Sequence, residues 1–289
     1  VVILLGLAAA VLYGSGDFLG GMATRRAHVL TVLALVETAG VIVALAAAAM
    51  WPGQASLAGL AWGTSAGMIG GLGLIVFYTG LAAGPMSVVA PVSGLVSTVL
   101  PVAVALAEGE RPGPAVYAGA LLCLVAIVLA SSAGHSGGDA GGGTGTARRP
   151  DRLGRAIAYG TASGVSFGLF FLLIRNAGQS GPVWPVAAGR IGELAAVLAA
   201  AAVLRPGLLR GVGGGVPLAA VAAGAIDVVA NICYVAATRT GAFGLAVVLA
   251  SLYPGVTVLL ARVVLGERLR WVQRAGLGLA AIGILLVAA

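Results

Sequence analysis

Ten apolar runs alternate with short polar or turn-rich breaks along the chain: 1–22, 29–50, 57–81, 85–107, 114–133, 153–175, 184–204, 216–237, 242–265 and 271–289. A membrane helix needs about 20 apolar residues. In lipid the backbone must satisfy its own hydrogen bonds, so runs of this length predict helices rather than strands. The breaks have turn compositions. Arg25-Arg26-Ala27-His28 follows the first run, Trp51-Pro52-Gly53 the second, Ala83-Gly84-Pro85 the third and Glu108-Gly109-Glu110-Arg111-Pro112 the fourth. One break is long. Residues 134–150, GHSGGDAGGGTGTARRP, are rich in Gly and poor in apolar side chains. Such a segment has too little to bury and behaves as a flexible linker. It separates five runs from five.

The two sets of five repeat each other. The segment from Gly84, GPMSVVAPVSGLVSTVLPVAVALAEGERP, aligns without gaps to the segment from Gly241, GAFGLAVVLASLYPGVTVLLARVVLGERL. Both begin a run with Gly and close it with Gly-Glu-Arg, at Gly109-Glu110-Arg111 and Gly266-Glu267-Arg268, and Gly119 then matches Gly276. Upstream, AAAAMWPG at Ala46–Gly53 is similar to AAAAVLRPG at Ala199–Gly207. With an odd number of spans in each half, the two copies must lie in opposite orientations. The predicted fold class is therefore all-α: a polytopic membrane protein of ten transmembrane helices in two inverted five-helix repeats, 1–133 and 151–289, joined by the linker 134–150. Secondary transporters share this plan and place their binding site near the midplane between repeats.

Composition agrees. Of 289 residues, 60% are hydrophobic and 9% charged, with a mean hydropathy of +1.08, whereas a soluble domain carries about 25% charged residues. All 16 basic residues are Arg. The net charge of +7 does not point to nucleic acid, because the arginines sit singly or in short clusters between apolar runs. Cys123 and Cys233 lie far apart inside apolar runs, and His28 and His135 fall in loops. None has metal-ligand spacing, and no GxSxG elbow is present. No metal, cofactor or enzymatic activity is expected. The chain opens at Val1 rather than Met, which suggests a few residues removed, and its first run is followed at once by another, unlike a cleaved signal peptide.

Small residues and prolines indicate helix contacts. Gly160, Gly164 and Gly168 form one stripe on the sixth run, and Gly63, Gly67, Gly70 and Gly71 do similar work on the third. Pro91 and Pro101 in the fourth run and Pro254 in the ninth remove backbone donors and can kink their helices.

Polar residues inside the runs carry the functional signal, since charge in hydrocarbon is costly and faces a cavity or a partner. Arg190 and Glu193 stand three apart on the seventh run, on one helical face. They form either a local ion pair or an anchor for an anionic group, with Arg190 as the fixed positive charge. Glu37 falls near the place of Glu193 in the repeat and is either a proton-titrating site or a buried partner. Asp227, Asn231 and Tyr234 follow i, i+4, i+7 on the eighth run and are expected to line a central cavity. Either Asp227 or Glu193 can serve as a proton carrier. Asp17, in Tyr13-Gly14-Ser15-Gly16-Asp17-Phe18, either reaches interfacial water, pairs with Arg25 or Arg26, or lines the cavity. Arg262 lies near the end of its run and can snorkel outward. Glu110 and Glu267 are expected to cap or pair at the interface.

These residues carry a resemblance. YGSGDFLGG at Tyr13–Gly21, GPMSVVAPVSGL at Gly84–Leu95, GERP at Gly109–Pro112, AGAIDVVAN at Ala223–Asn231 and SLYPGVTVLLARVVLGERL at Ser251–Leu269 resemble the EamA-type transporters of the drug/metabolite transporter superfamily. The likeness covers essentially the whole chain except the linker. It implies two inverted five-helix bundles around a central cavity, working by alternating access in the bacterial cytoplasmic membrane. It also implies export or exchange of a small metabolite such as an amino acid, an analogue or a drug. Many relatives carry tryptophan where Tyr13 stands, so the aromatic character of that position is kept. The substrate site expected from the residues comprises Arg190, Asp227, Asn231, Tyr234 and Tyr13, and the proton or coupling site Glu193, Glu37 and Asp17. Small-molecule substrate, protons and the lipid bilayer are the expected partners, for a monomer or a homodimer.

Orientation sets two rules against each other. With the arginines at the adjoining run ends included (Arg155 and Arg274 on one side, Arg175 on the other), the side holding the loops after the odd-numbered runs carries 11 arginines and the other side 3. The positive-inside rule would therefore put both termini outside, whereas members of this family are drawn with both termini in the cytoplasm. Two other function classes compete with a carrier. A channel or a non-transporting subunit would lack saturable counterflow. An intramembrane lipid-modifying enzyme would show His, Asp or Ser/His sets at the loop–membrane border, and the two histidines here sit in unpromising loops.

Overall fold

A computed structural model describes residues 1–24, 26–50, 53–83, 86–111, 113–131, 149–177, 181–204, 215–265 and 271–288. Among these the chain forms eleven α-helices and no strand. They are α1 (Val2–Thr24), α2 (Val29–Met50), α3 (Leu57–Ala83), α4 (Met86–Ala107), α5 (Pro114–Ser131) and α6 (Arg149–Ala177), followed by α7 (Val183–Leu204), α8 (Val216–Thr238), α9 (Phe243–Ala250), α10 (Tyr253–Leu265) and α11 (Trp271–Ala288). Six of the described helices, α1, α2, α3, α6, α7 and α8, are long and apolar enough to cross a membrane. The chain is a multi-pass membrane protein.

The helices follow the ten apolar runs with one exception. The ninth run is two helices, because Ser251 and Leu252 form a turn between α9 and α10. Pro254 has no N–H to continue the ladder, and the local bonds tighten, with Leu252 N donating to Leu249 O at 3.2 Å and Gly255 N to Leu252 O at 3.0 Å. The expected kinks at Pro91 and Pro101 do not break α4, which stays one helix. There the Thr98 and Ser97 hydroxyls both donate to the Gly94 carbonyl, at 2.7 and 3.0 Å. At the other boundary, Arg149 and Pro150 belong to α6 rather than to the linker. Proline is well suited to a first helical turn, where its missing N–H has no partner to lose. The remainder of the linker, His135, Arg25 and the Gly266-Glu267-Arg268 turn lie outside the described residues, as do the side chains of Cys123 and Arg262.

Backbones approach closely along the predicted glycine stripes. On α6, a Cβ at Gly160, Gly164 or Gly168 would meet the carbonyl of Val89, Ser93 or Ser97 on α4, at 2.9, 2.7 and 3.3 Å. Two stripes with the same four-residue step therefore slide into contact. Ser163 donates to Ser93 Oγ across this seam at 2.9 Å, with both side chains fully buried. On α3, Gly63, Gly67 and Gly71 lie against the carbonyls of Pro185, Gly189 and Glu193 on α7. Lipid supplies no hydrophobic force between helices, so close van der Waals packing of this kind is what holds them.

Helix pairing has an internal regularity. α1 packs along α8 and α6 along α3; α1 also rests on α9 and α10, and α6 on α4. α2 packs on α8 and α7 on α3, while α2 pairs with α7 and α5 with α11. Exchanging the first five runs for the second five maps each of these pairings onto another of the set or, for α2 with α7 and α5 with α11, onto itself.

Candidate functional site

The charged residues of the spans converge. α8 is 23 residues long, which puts its central residue, Asp227, about 16 Å from either end. Arg190 on α7 reaches toward it. One guanidinium nitrogen of Arg190 donates to Glu37 Oε2 at 3.0 Å and lies 2.9 Å from Glu193 Oε2; the other is paired with Asp227 Oδ2. A single cation thus faces three carboxyls contributed by α2, α7 and α8. It is deeply buried: side-chain exposure is 2% for Arg190 and 1% for Glu37, against 25% for Asp227.

Glycines make room for this cluster. A Cβ at Gly40 on α2 would lie 3.0 Å from Arg190 Cδ, and one at Gly70 on α3 would lie 3.0 Å from Glu193 Oε1. The arrangement is polar and incompletely satisfied. Glu37 Oε1 and Glu193 Oε2 have no hydrogen-bond partner of correct geometry, and the two glutamate side chains stand within hydrogen-bonding reach of one another. Buried polar atoms are seldom left unpaired.

Beside the cluster lies a cavity of about 570 Å³, the open space at its mouth included. It is lined by residues of both halves, with α1 and α3 from the first and α6, α7, α8 and α10 from the second. Tyr13, Asp17, Arg190, Glu193, Asp227 and Asn231 all line it. Of the three positions open to Asp17 from sequence, the structure gives cavity lining; among the described residues its carboxylate makes no hydrogen bond or ion pair. Tyr13 donates to Asn231 Oδ1 at 2.9 Å, and Asn231 Nδ2 donates to the Asp227 backbone carbonyl at 2.9 Å and to Asp227 Oδ2 at 3.2 Å. The i, i+4 stripe on α8 is therefore tied to α1 by a side-chain chain.

Two expected residues stand behind this lining. Glu37 backs Arg190 from α2. Tyr234 is fully buried, packed at a tilt against Phe171 with ring centroids 4.7 Å apart, and donates to the Phe171 carbonyl at 3.4 Å. It supports the wall and is absent from the lining residues. The wall itself is aromatic and was not anticipated: Phe77, Phe167, Phe170 and Phe171 line the cavity with Tyr253. The spacing of Phe167, Phe170 and Phe171 (i, i+3, i+4) was a signal of one helical face in the sequence. Four of the chain's six phenylalanines gather here, so this is a specialised wall rather than average packing.

At one end of the bundle the Gly-Glu-Arg turn after α4 has a definite role. Glu110 accepts from the backbone N–H groups of Phe243 and Gly244 at 2.9 and 3.1 Å, capping the start of α9. Arg175 pairs with Glu108 at 2.6 Å and lies over the Phe243 ring at 4.1 Å. α6, α4 and α9 are fastened together there.

Comparison with known proteins bears on the whole arrangement. No curated protein matches the chain. A solved crystal structure, described only as that of a protein, is similar with a TM-score of 0.74 and 22% identity, over 99% of this chain and 95% of its own. At that identity the likeness speaks for the fold. Residues 154–289 match the EamA-like transporter family. That stretch contains Arg190, Glu193, Asp227 and Asn231, as well as the aromatic face of α6. The family matched by this stretch is part of the drug/metabolite transporter superfamily.

Proposed function

We propose that this chain is a secondary transporter that moves a small molecule across a cell membrane by alternating access and couples the movement to protons. The observation that carries the reading is the charged cavity near mid-span, lined jointly by helices of the two halves. Rocking one half against the other would expose such a cavity to each side in turn. Two five-helix units, 1–133 and 151–289, related by an in-plane pseudo-dyad, account for the helix pairings that interchange when the halves are exchanged. α2 with α7 and α5 with α11, the pairings that map onto themselves, would then straddle the dyad.

In this reading Tyr13, Asp227 and Asn231 contact the substrate, with Tyr234 holding Phe171 in place behind them. Glu37 and Glu193 form the coupling pair. Two carboxyls in hydrogen-bonding reach hold one proton between them, which accounts for their unpartnered oxygens. The groups facing that pair are Arg190 and Asp227, with Asp17 and Tyr13 across the cavity. Arg190 offsets the negative charge of the cluster, so a proton gained or lost at Glu37–Glu193 changes how firmly the guanidinium holds Asp227.

The test is reconstitution into proteoliposomes loaded with a pH-sensitive dye, screened against labelled amines and amino acids. Saturable counterflow with an accompanying dye response is expected. Glu37→Gln and Glu193→Gln should each remove the dye response while leaving counterflow measurable. Uptake unchanged in a protein carrying both Arg190→Ala and Asp227→Asn would refute the site assignment.

A further inference from the structure

Most hydrogen-bond donors of the cavity are already spent on the protein. Arg190 faces Glu37, Glu193 and Asp227; Tyr13 donates to Asn231; and the Asn231 amide donates to Asp227. An anionic cargo would have to displace Asp227 from the guanidinium, leaving a carboxylate without its cation in a place where unpaired charge is costly. Apart from the Tyr253 hydroxyl, what remains on offer consists of acceptor oxygens and ring faces. Asp17 makes no hydrogen bond or ion pair among the described residues, and Asp227 is partly exposed.

Ring faces complete the picture. Tyr13 packs edge to face against Phe171 and Tyr253, with centroids 6.4 and 6.3 Å apart, so three rings form a corner on the wall that carries Asp17 and Asp227. A ring face attracts an organic cation, and more strongly once the cation is desolvated. Three lining carboxyls against one lining guanidinium also leave the cavity in need of positive charge.

We infer that the cargo is an organic cation with an aromatic or apolar body, its charged nitrogen held between Asp17 and Asp227 and its body against the Tyr13–Phe171–Tyr253 corner. This rests on the transporter reading for the movement of the cargo, and on the cavity alone for its charge. Arg190 then acts as an internal countercharge rather than an anion anchor, the ion-pair role among its two sequence-based roles.

The experiment is calorimetric binding to the purified full chain in lipid nanodiscs, with three aromatic probes that differ in charge: benzyltrimethylammonium, phenylacetate and phenylalanine. The cation should bind, with the anion weaker by about tenfold or more, which is about 1.4 kcal/mol. Asp17→Asn should weaken cation binding by a similar factor without moving the thermal unfolding profile. Phenylacetate or phenylalanine binding as tightly as the cation, no cation binding at millimolar concentration, or an unchanged cation affinity in Asp17→Asn would each overturn the inference. The charge series uses the unaltered protein, so it decides even if the variant fails to fold. Uptake of the same probes into proteoliposomes separates the two ideas. A cation that binds but never moves defeats the transporter reading alone, whereas uptake of phenylacetate without that of the cation defeats the cation reading alone.

Discussion

Replacing Arg190 with methionine isolates what the buried cation does for the fold. The substitution keeps an unbranched side chain in the space beside Gly40 and removes the cation that, among the described residues, pairs with Glu37, Glu193 and Asp227. Breaking a buried ion pair by deleting one partner costs about 3–5 kcal/mol, because the other partner is left buried and uncompensated. Two of the three carboxyls here are almost wholly shielded from solvent, so Arg190→Met belongs at the upper part of that range. The cost comes from stranded charge rather than lost packing. A protein carrying Arg190→Met together with Glu37→Gln, Glu193→Gln and Asp227→Asn should therefore recover most of the stability that the single substitution loses. Neighbouring sites that share partners are expected to be strongly non-additive. Unfolding in detergent, followed by tryptophan fluorescence for the parent, the single and the quadruple variant, measures both quantities. A single variant as stable as the parent, or a quadruple variant no better than the single, would refute the reasoning.

Two other substitutions test the packing and the cap. Gly67→Ala puts a Cβ into the Gly189 carbonyl, a backbone atom that cannot swing aside, and should destabilise by about 3 kcal/mol or more. Gly21→Ala on α1 meets nothing within 4 Å and should be neutral or stabilising by up to about 1 kcal/mol, so the same unfolding assay on the pair separates close approach from helix propensity. Glu110→Ala removes a carboxylate that accepts from two backbone N–H groups at the start of α9 and should cost about 1.5–3 kcal/mol. Faster hydrogen exchange confined to the first turn of α9 is the matching local signature, and exchange unchanged at Phe243 and Gly244 would count against the cap.

Much of this architecture is local in origin and so could be read along the chain. The length of each apolar run determines that it is a helix and where it ends, because unpaired backbone has no partner in lipid. The four-residue steps at Gly160, Gly164 and Gly168, and at Gly63, Gly67 and Gly71, identify faces fit for close contact, and the helices meet along those faces. Pro254 marked the place where the ninth run divides into two helices, whereas Pro91 and Pro101, read the same way, sit in an unbroken α4. A missing N–H is a local fact, but whether the freed carbonyl bends the helix depends on what packs beside it.

The site depended on more than periodicity. Spacing put Arg190 beside Glu193, and Asp227 beside Asn231, since each pair shares one helical face. Nothing in either spacing says that Glu37, 153 residues away, accepts from the same guanidinium, that Tyr13 reaches Asn231 across 218 residues, or that Tyr234 turns behind Phe171 instead of into the cavity. A helical pattern states which residues look the same way but not what they look at. That is settled by the fit of one helix surface against another, so the charges and rings of seven separate helices come together only when the bundle is assembled.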